Sequence, residues 1–333
     1  MNRRRITFAM KESVRERVFP AARLAEFAEI ADIQGFVTEY GSGAAQRVLA
    51  GTDVLITGWG APRLTPDALA AAPRLEAVLH AAGTVKPYLS QEVLERGIRV
   101  SSAAAANAVP VAEYTVAMIV LANKNVLPIA ARYRSAEDDI DAEAEFPALG
   151  NYDKRVGIVG ASTIGRIVID LLRAYALDVV VYDPFLDEPE ARRLGVRSVP
   201  LDELLATSDV VSVHAPSLPS TADLLDARGI ALMRRGATLI NTARGEIVDQ
   251  DALERRVLAG ELFAILDVTV PWVLEAGHPF YTSDRVLLTP HIAGSLGSEL
   301  GRLAHSVLAE LRRLSAGDAL AHELDAARFA ITA

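Results

Sequence analysis

From Arg155 onward the chain alternates short β-branched runs with segments long enough to be helices. That is the pattern of βαβ units built into a parallel sheet. Six runs stand out: Arg155–Val159, Val179–Tyr182, Val210–His214, Thr238–Asn241, Phe263–Asp267 and Val286–Thr289. Each is nearly continuous in apolar residues, as a strand covered on both faces must be, and six strands make a full doubly wound sheet. The first hundred residues repeat the rhythm less regularly. Ile6–Met10, Val54–Thr57 and Leu75–His80 are the strand candidates of a smaller α/β domain.

Two helices are legible from pattern alone. Val109–Asn123 is apolar on every side, with Pro110 where a first helical turn tolerates it. Such a helix is expected to be buried in the fold or against another subunit. Near the carboxy terminus Leu300, Leu303, Ala304, Val307, Leu308, Leu311 and Leu314 mark one helix face, with Ser298 as the expected cap and Gly317 as the stop.

A chain of 333 residues exceeds what one hydrophobic core serves, so two domains are expected. Hydrophobic residues make up 51% and aromatic residues 6%, a balance rich in Ala, Val and Leu that suits layered α/β packing. With no cysteine there is no disulfide, thiolate metal site or thiol nucleophile. A net charge of −9 argues against a nucleic-acid partner, and an anionic ligand would need locally placed cations. Glu137–Glu145 carries six acids in nine residues and reads as a solvated arm. After Arg3, Arg4 and Arg5 the apolar run Ile6–Met10 is too short for a signal peptide, and Val116–Ala122 is too short for a membrane span. No membrane partner and a cytoplasmic location are expected.

The chemistry begins at Val156-Gly157-Ile158-Val159-Gly160-Ala161-Ser162-Thr163-Ile164-Gly165, which leaves a predicted strand and enters a predicted helix, the context a dinucleotide fingerprint requires. Gly160 and Gly165 hold the first and third glycine places. Ser162 stands at the second, where a missing side chain normally lets backbone approach a pyrophosphate. The next strand ends at Asp183, 18 residues beyond Gly165, where a carboxylate accepts hydrogen bonds from the adenosine ribose. Its charge favours NAD over NADP.

Three later segments, Asn241-Thr242-Ala243-Arg244-Gly245, Leu266-Asp267-Val268-Thr269 and Thr289-Pro290-His291-Ile292-Ala293-Gly294, resemble the signature blocks of the NAD-dependent D-2-hydroxyacid dehydrogenases in order and spacing. Val111-Ala112-Glu113-Tyr114-Thr115 looks like that family's inter-domain helix, and His214-Ala215-Pro216 with Thr221 looks like its nicotinamide-side loop. The resemblance spans essentially the whole chain. It implies two Rossmann-like domains: a doubly wound parallel-sheet NAD domain, 107–296, inserted into a smaller flavodoxin-like substrate domain formed by 1–106 and 297–333. It also implies cofactor contacts from Gly160, Ser162, Thr163, Ile164, Gly165, Asp183, His214, Ala215, Pro216, Thr221, Thr242, Ala243, Asp267 and Gly294, and a homodimer.

Hydride delivery to a 2-oxo acid needs an anchor for the carboxylate, a group that polarises the ketone, and an acid for the developing alkoxide. Arg244 suits the first two tasks, since a planar guanidinium can pair with both oxygens. His291 is the candidate acid, with an ordinary pKa near ~6.5. Gly83 and Thr84, in Ala81-Ala82-Gly83-Thr84-Val85-Lys86, resemble the family loop whose amides hold the substrate carboxylate, and Asn107 matches a polar position beside the hinge. Lys86 reads as a solvent-exposed lysine. His80, His214, His278, His305 and His322 show no metal-ligand spacing, and no metal is expected.

One position departs from the family pattern. Five residues after Asp267, where the family places a glutamate that hydrogen-bonds the catalytic histidine, stands Trp272; the next acid is Glu275. Replacing a carboxylate by an indole should lower the histidine pKa, by removing charge and by desolvating the ring. Two readings follow: a NAD-dependent oxidoreductase interconverting 2-hydroxy and 2-oxo acids, or a catalytically reduced NAD(H)-binding sensor, scaffold or corepressor-like protein.

Overall fold

The computed structural model describes residues 3–325 and 329. They divide into two compact units. One joins the chain up to Ala108 with the segment from Ser295, and the other is Val109–Gly294.

The first unit is built on five strands, β1 (Arg4–Ala9), β2 (Ala31–Val37), β3 (Val54–Thr57), β4 (Ala77–His80) and β5 (Arg99–Ser102), all parallel, in the order β2-β1-β3-β4-β5. This is the flavodoxin-like order. Alternate side chains feed two cores, as period two requires. Phe8, Ile56 and Leu79 pack on one face with the helix Leu300–Ala316; Ala9, Leu55 and Val78 pack on the other. All seven apolar positions read on that helix face are buried. Its start differs from expectation. Gly297–Glu299 forms a 3-10 turn that runs straight into the helix with Glu299 at the cap, so Ser298 is not the cap. Gly317 ends the helix at φ +80°.

The second unit holds β6 (Lys154–Val159), β7 (Leu177–Tyr182), β8 (Arg197–Ser198), β9 (Val210–Val213), β10 (Thr238–Asn241), β11 (Phe263–Leu266) and β12 (Val286–Leu288). The sheet is parallel, in the order β12-β11-β10-β9-β6-β7-β8. It therefore has seven strands, not six. The extra one is a two-residue edge strand, exposed on both positions and too short to leave a pattern. Strand order reverses at β6, between β9 and β7, and ligands of open α/β sheets bind beyond the carboxyl ends at such a point.

The apolar helix runs over Ala104–Asn123, so Pro110 is interior rather than in the first turn. A proline there forfeits one intrahelical bond, and tertiary packing has overridden local preference. Nor is the helix buried all round: Ala112, Val116 and Ile119 enter the core beside Val168, Ile169 and Leu172, while Glu113 and Ala117 are exposed. At 20 residues it is long and apolar enough to span a membrane, contrary to the expectation built on Val116–Ala122. Its core packing gives the apolar side a partner within the fold. In the acidic arm, Ala142–Glu145 forms one helical turn and Glu145 pairs with Arg132 at 2.7 Å.

Leu311 is fully buried in the first unit. Leu311→Ala is expected to cost about 2–5 kcal/mol of that unit's stability, the range for a buried leucine that leaves a cavity. Urea unfolding measures it, and a loss below about 1 kcal/mol would mean that the helix packs loosely there.

Candidate active site

Because every strand of the second unit is parallel, the segments that follow β6, β7, β9, β10, β11 and β12 leave from one edge of the sheet. Beyond β6 the chain turns at Gly160, φ +101°, where a Cβ would stand 2.6 Å from the Ala215 backbone nitrogen. A Cβ on Gly165 would overlap the carbonyl oxygen of Gly160. Both places therefore demand glycine. Ser162 does not clash: it caps the helix Thr163–Leu172, its Oγ accepting from Gly165 N at 3.3 Å. That leaves the first-turn N–H groups of Thr163 and Ile164 without intrahelical acceptors, the usual donor set for a phosphate. Asp183, after β7, accepts from Ala161 N at 2.7 Å and Phe185 N at 2.8 Å, which fixes its carboxylate beside the glycine turn. Glycine turn, helix N-terminus and carboxylate fit a dinucleotide.

Beyond β9, His214 is buried. Its Nε2 lies 2.9 Å from Ser212 Oγ, and burial lowers its pKa from 6.5 to about 3. It is a neutral packing residue beside Ala215. Thr221 shapes the following loop, donating to Pro216 O at 2.6 Å and accepting from Leu218 N at 2.9 Å. Beyond β10, Asn241 folds the next turn on itself: its Oδ1 accepts from Ala243 N at 3.0 Å and its Nδ2 donates to Arg244 O at 2.9 Å. Thr242 is buried, its Oγ1 3.2 Å from Thr115 Oγ1 on the long helix. Arg244 Nη1 donates to Ala243 O at 2.7 Å, and burial lowers the guanidinium pKa, opposed by the charge of Glu246. Among the described residues no carboxylate forms an ion pair with Arg244. A desolvated cation without an internal counterion is suited to an incoming anion.

The histidine loop is organised by Asp267. Its buried carboxylate accepts from Thr289 Oγ1 at 2.6 Å, Ile292 N at 2.7 Å and Ala293 N at 2.9 Å, while its carbonyl accepts from His291 N at 3.0 Å. Thr289 also lies 3.1 Å from Tyr114 Oη. Held this way, His291 adopts φ +56°, a left-handed conformation that costs a non-glycine residue roughly 1–3 kcal/mol when imposed. Gly294, half-buried, is the last residue of the second unit.

Burial lowers the His291 pKa below 6.5; the negative charge of Asp267 opposes that and the positive charge of Arg244 adds to it. Its Nδ1 is buried without a hydrogen-bond partner. Trp272 stacks on the imidazole, centroids 4.5 Å apart and planes at 25°. Glu275 is exposed, and among the described residues neither it nor any other carboxylate lies within ion-pair distance of His291.

The candidates of the first unit also converge. After β4 the loop passes through Gly83 and Thr84, where Thr84 Oγ1 accepts from Lys86 N at 3.3 Å. Asn107 Nδ2 would lie 3.8 Å from a Cβ on Gly83, and its Oδ1 accepts from Ser295 N at 3.0 Å. Lys86 is half-buried rather than exposed. His80, at the end of β4, is buried against Thr57 Oγ1, Nδ1 at 2.8 Å, and burial lowers its pKa to about 3. Sequence reasoning gave no separate role to Asn241, Thr289 or Tyr114. For Asn241 a signal existed, since an asparagine two residues before a turn amide is a common local brace.

Residues 116–293 match the family described as D-isomer specific 2-hydroxyacid dehydrogenase, NAD binding domain. The chain belongs to that family, and its second unit binds NAD. It is 32% identical over 255 residues to a D-3-phosphoglycerate dehydrogenase of Mycobacterium bovis, covering 76% of this chain and 47% of that one. With the enzyme of the same name from Haemophilus influenzae it shares 36% identity over 238 residues, covering 70% of this chain and 57% of the relative. The chain thus spans about half the length of these relatives. Among solved structures, a phosphoglycerate oxidoreductase from Rhizobium etli superposes with a TM-score of 0.82 at 25% identity, covering 96% of this chain and 97% of that one. The NAD-complexed D-isomer specific 2-hydroxyacid dehydrogenase of Lactobacillus delbrueckii ssp. bulgaricus shares the fold, with a TM-score of 0.79 at 19% identity over 96% of this chain and all of that one.

Proposed function

We propose that the protein interconverts a 2-hydroxy acid and a 2-oxo acid, with NAD as hydride carrier, Arg244 as the cation that binds and polarises the oxo acid, and His291 as its proton donor. The observation that carries this reading is the placement, on the loops that follow β10 and β12 at one edge of the sheet, of a half-buried guanidinium with no ion-pair partner among the described residues and an imidazole whose pKa is lowered by burial first and by that guanidinium in addition. Bound NADH supplies the hydride. Arg244 draws electron density toward the ketone oxygen, and His291 delivers a proton as the alkoxide forms. In the reverse direction neutral His291 takes the hydroxyl proton. Gly83, Thr84 and Asn107 form the proposed substrate-carboxylate site of the first unit.

The sign of the pH effect follows from His291. Reduction needs the imidazolium, so the rate should fall as pH rises through the His291 pKa, with that limb below 6.5. The absence of a paired carboxylate weakens the enzyme at neutral pH, and Trp272→Glu should move the limb upward. The test is loss of NADH absorbance with glyoxylate, pyruvate, hydroxypyruvate, phenylpyruvate and bulkier oxo acids. Turnover is expected with at least one of them, and His291→Asn should abolish it, since an amide cannot donate the proton. Full activity in His291→Asn would remove that residue from the mechanism. The same unpaired histidine supports a second reading, a NAD(H)-binding sensor, scaffold or corepressor-like protein; tight NADH binding with no turnover across the panel would select it.

Asp183 sets the cofactor choice in this proposal. NADH should bind more tightly than NADPH, and Asp183→Ala should narrow the gap; equal affinities in the unaltered protein would refute the assignment.

A homodimer in the cytoplasm completes the proposal. The helix Val126–Ala136 has no buried residue, and the long helix before it buries only part of its apolar surface, an arrangement suited to a second copy. Light scattering should give twice the mass of one chain, and a monomer at micromolar concentration would contradict the dimer.

A further inference from the structure

An indole that is 62% exposed gains little from burial, so core packing does not account for the placement of Trp272 over His291. Its backbone is nonetheless tightly held. Gln250 brackets the loop, its Nε2 donating to Val270 O at 2.7 Å and its Oε1 accepting from Val270 N at 3.0 Å. Thr269 Oγ1 donates to Pro271 O at 2.8 Å, and beyond the tryptophan Leu274 is buried while its carbonyl accepts from Tyr281 Oη at 3.2 Å. The loop is fixed on both sides of a side chain that projects from it onto the imidazole.

We propose that Trp272 is the positioning residue for His291, its stacked indole fixing the plane of the ring in place of a hydrogen-bonded carboxylate. The inference rests on the reading of His291 as proton donor and deepens it. No hydrogen bond holds Nδ1, so the stack is the contact that restrains rotation of the ring. The charged groups facing His291 are Asp267 after β11 and Arg244 after β10, with Glu246 acting on Arg244. The first favours the imidazolium and the second opposes it, and neither sets the ring plane by a direct bond. An indole face suits both protonation states: it stacks on the neutral ring and attracts the cation through its quadrupole.

The chain has two tryptophans, Trp59 and Trp272, which makes the stack separately observable. A protonated imidazole in contact with an indole quenches its emission by accepting an electron from the excited ring. In Trp59→Phe, with Trp272 as the single indole, emission should fall as pH is lowered through a midpoint below 6.5, and adding His291→Asn should remove that titration. Neither measurement needs NADH or substrate. In turnover, Trp272→Phe should retain kcat within about threefold, while Trp272→Ala should lose roughly 10–100-fold in kcat with little change in KM, the pattern of a misplaced catalytic group. Both substitutions fall at an exposed side chain, and circular dichroism is the check that each variant is folded. Emission that is flat with pH, a titration that survives His291→Asn, or equal kcat for the Phe and Ala variants would overturn the inference alone. Quenching without turnover on any oxo acid would instead overturn the proton-donor reading beneath it, and the positioning role with it.

Discussion

A carboxylate buried at the end of a strand is costly unless its lone pairs are filled, and Asp267 fills them with one hydroxyl and two backbone amides from a single loop. Each such bond to a charged group contributes roughly 1.5–3 kcal/mol, against the roughly 1–3 kcal/mol that a left-handed histidine costs. Three bonds therefore outweigh the strain at His291 as well as helping to offset desolvation of the carboxylate. The backbone of the proposed acid is set by the chain's own hydrogen bonding before any substrate arrives. Thr289 extends the anchor to Tyr114, and Thr242 meets Thr115, so two consecutive residues of one long helix brace both the histidine loop and the arginine loop.

The dinucleotide end follows a different logic. There the structure needs the absence of atoms: side chains at Gly160 and Gly165 would collide with backbone, whereas Ser162 finds its own use as a helix cap. A serine at the second glycine place thus leaves the turn intact and the first-turn amides open. Gly160 follows β6 and His214 follows β9, the neighbouring strands at which the strand order reverses.

Much of this was legible in the sequence for identifiable reasons. Central strands such as Thr238–Asn241 are buried on both faces and leave unbroken apolar runs, and the helix Leu300–Ala316 has one wet and one dry side. The elements that escaped lie at edges or are short and polar. β2 alternates exposed Asp32, Gln34 and Phe36 with half-buried Ile33 and Gly35; β5 is Arg-Val-Ser-Ser; β8 has two exposed residues. Pro110 misled because local preference places proline at a helix start, whereas packing carries this helix back to Ala104, five residues before the expected start at Val109. In the site, spacing and family resemblance marked Arg244, Asp267 and His291. What Asp267 holds, and the ring on which His291 rests, depend on contacts between loops far apart in sequence, and a linear pattern does not carry them.

The central claim is that the Asp267 carboxylate holds the loop that presents His291. Hydrogen–deuterium exchange of Asp267→Asn against the unaltered protein tests it most directly, because the amide would turn a donor toward backbone N–H groups that need an acceptor. The account predicts exchange at the amides of Ile292 and Ala293 faster by at least about tenfold, with protection in β10 unchanged, the mark of a local opening rather than global unfolding. Unchanged exchange at both amides would contradict it.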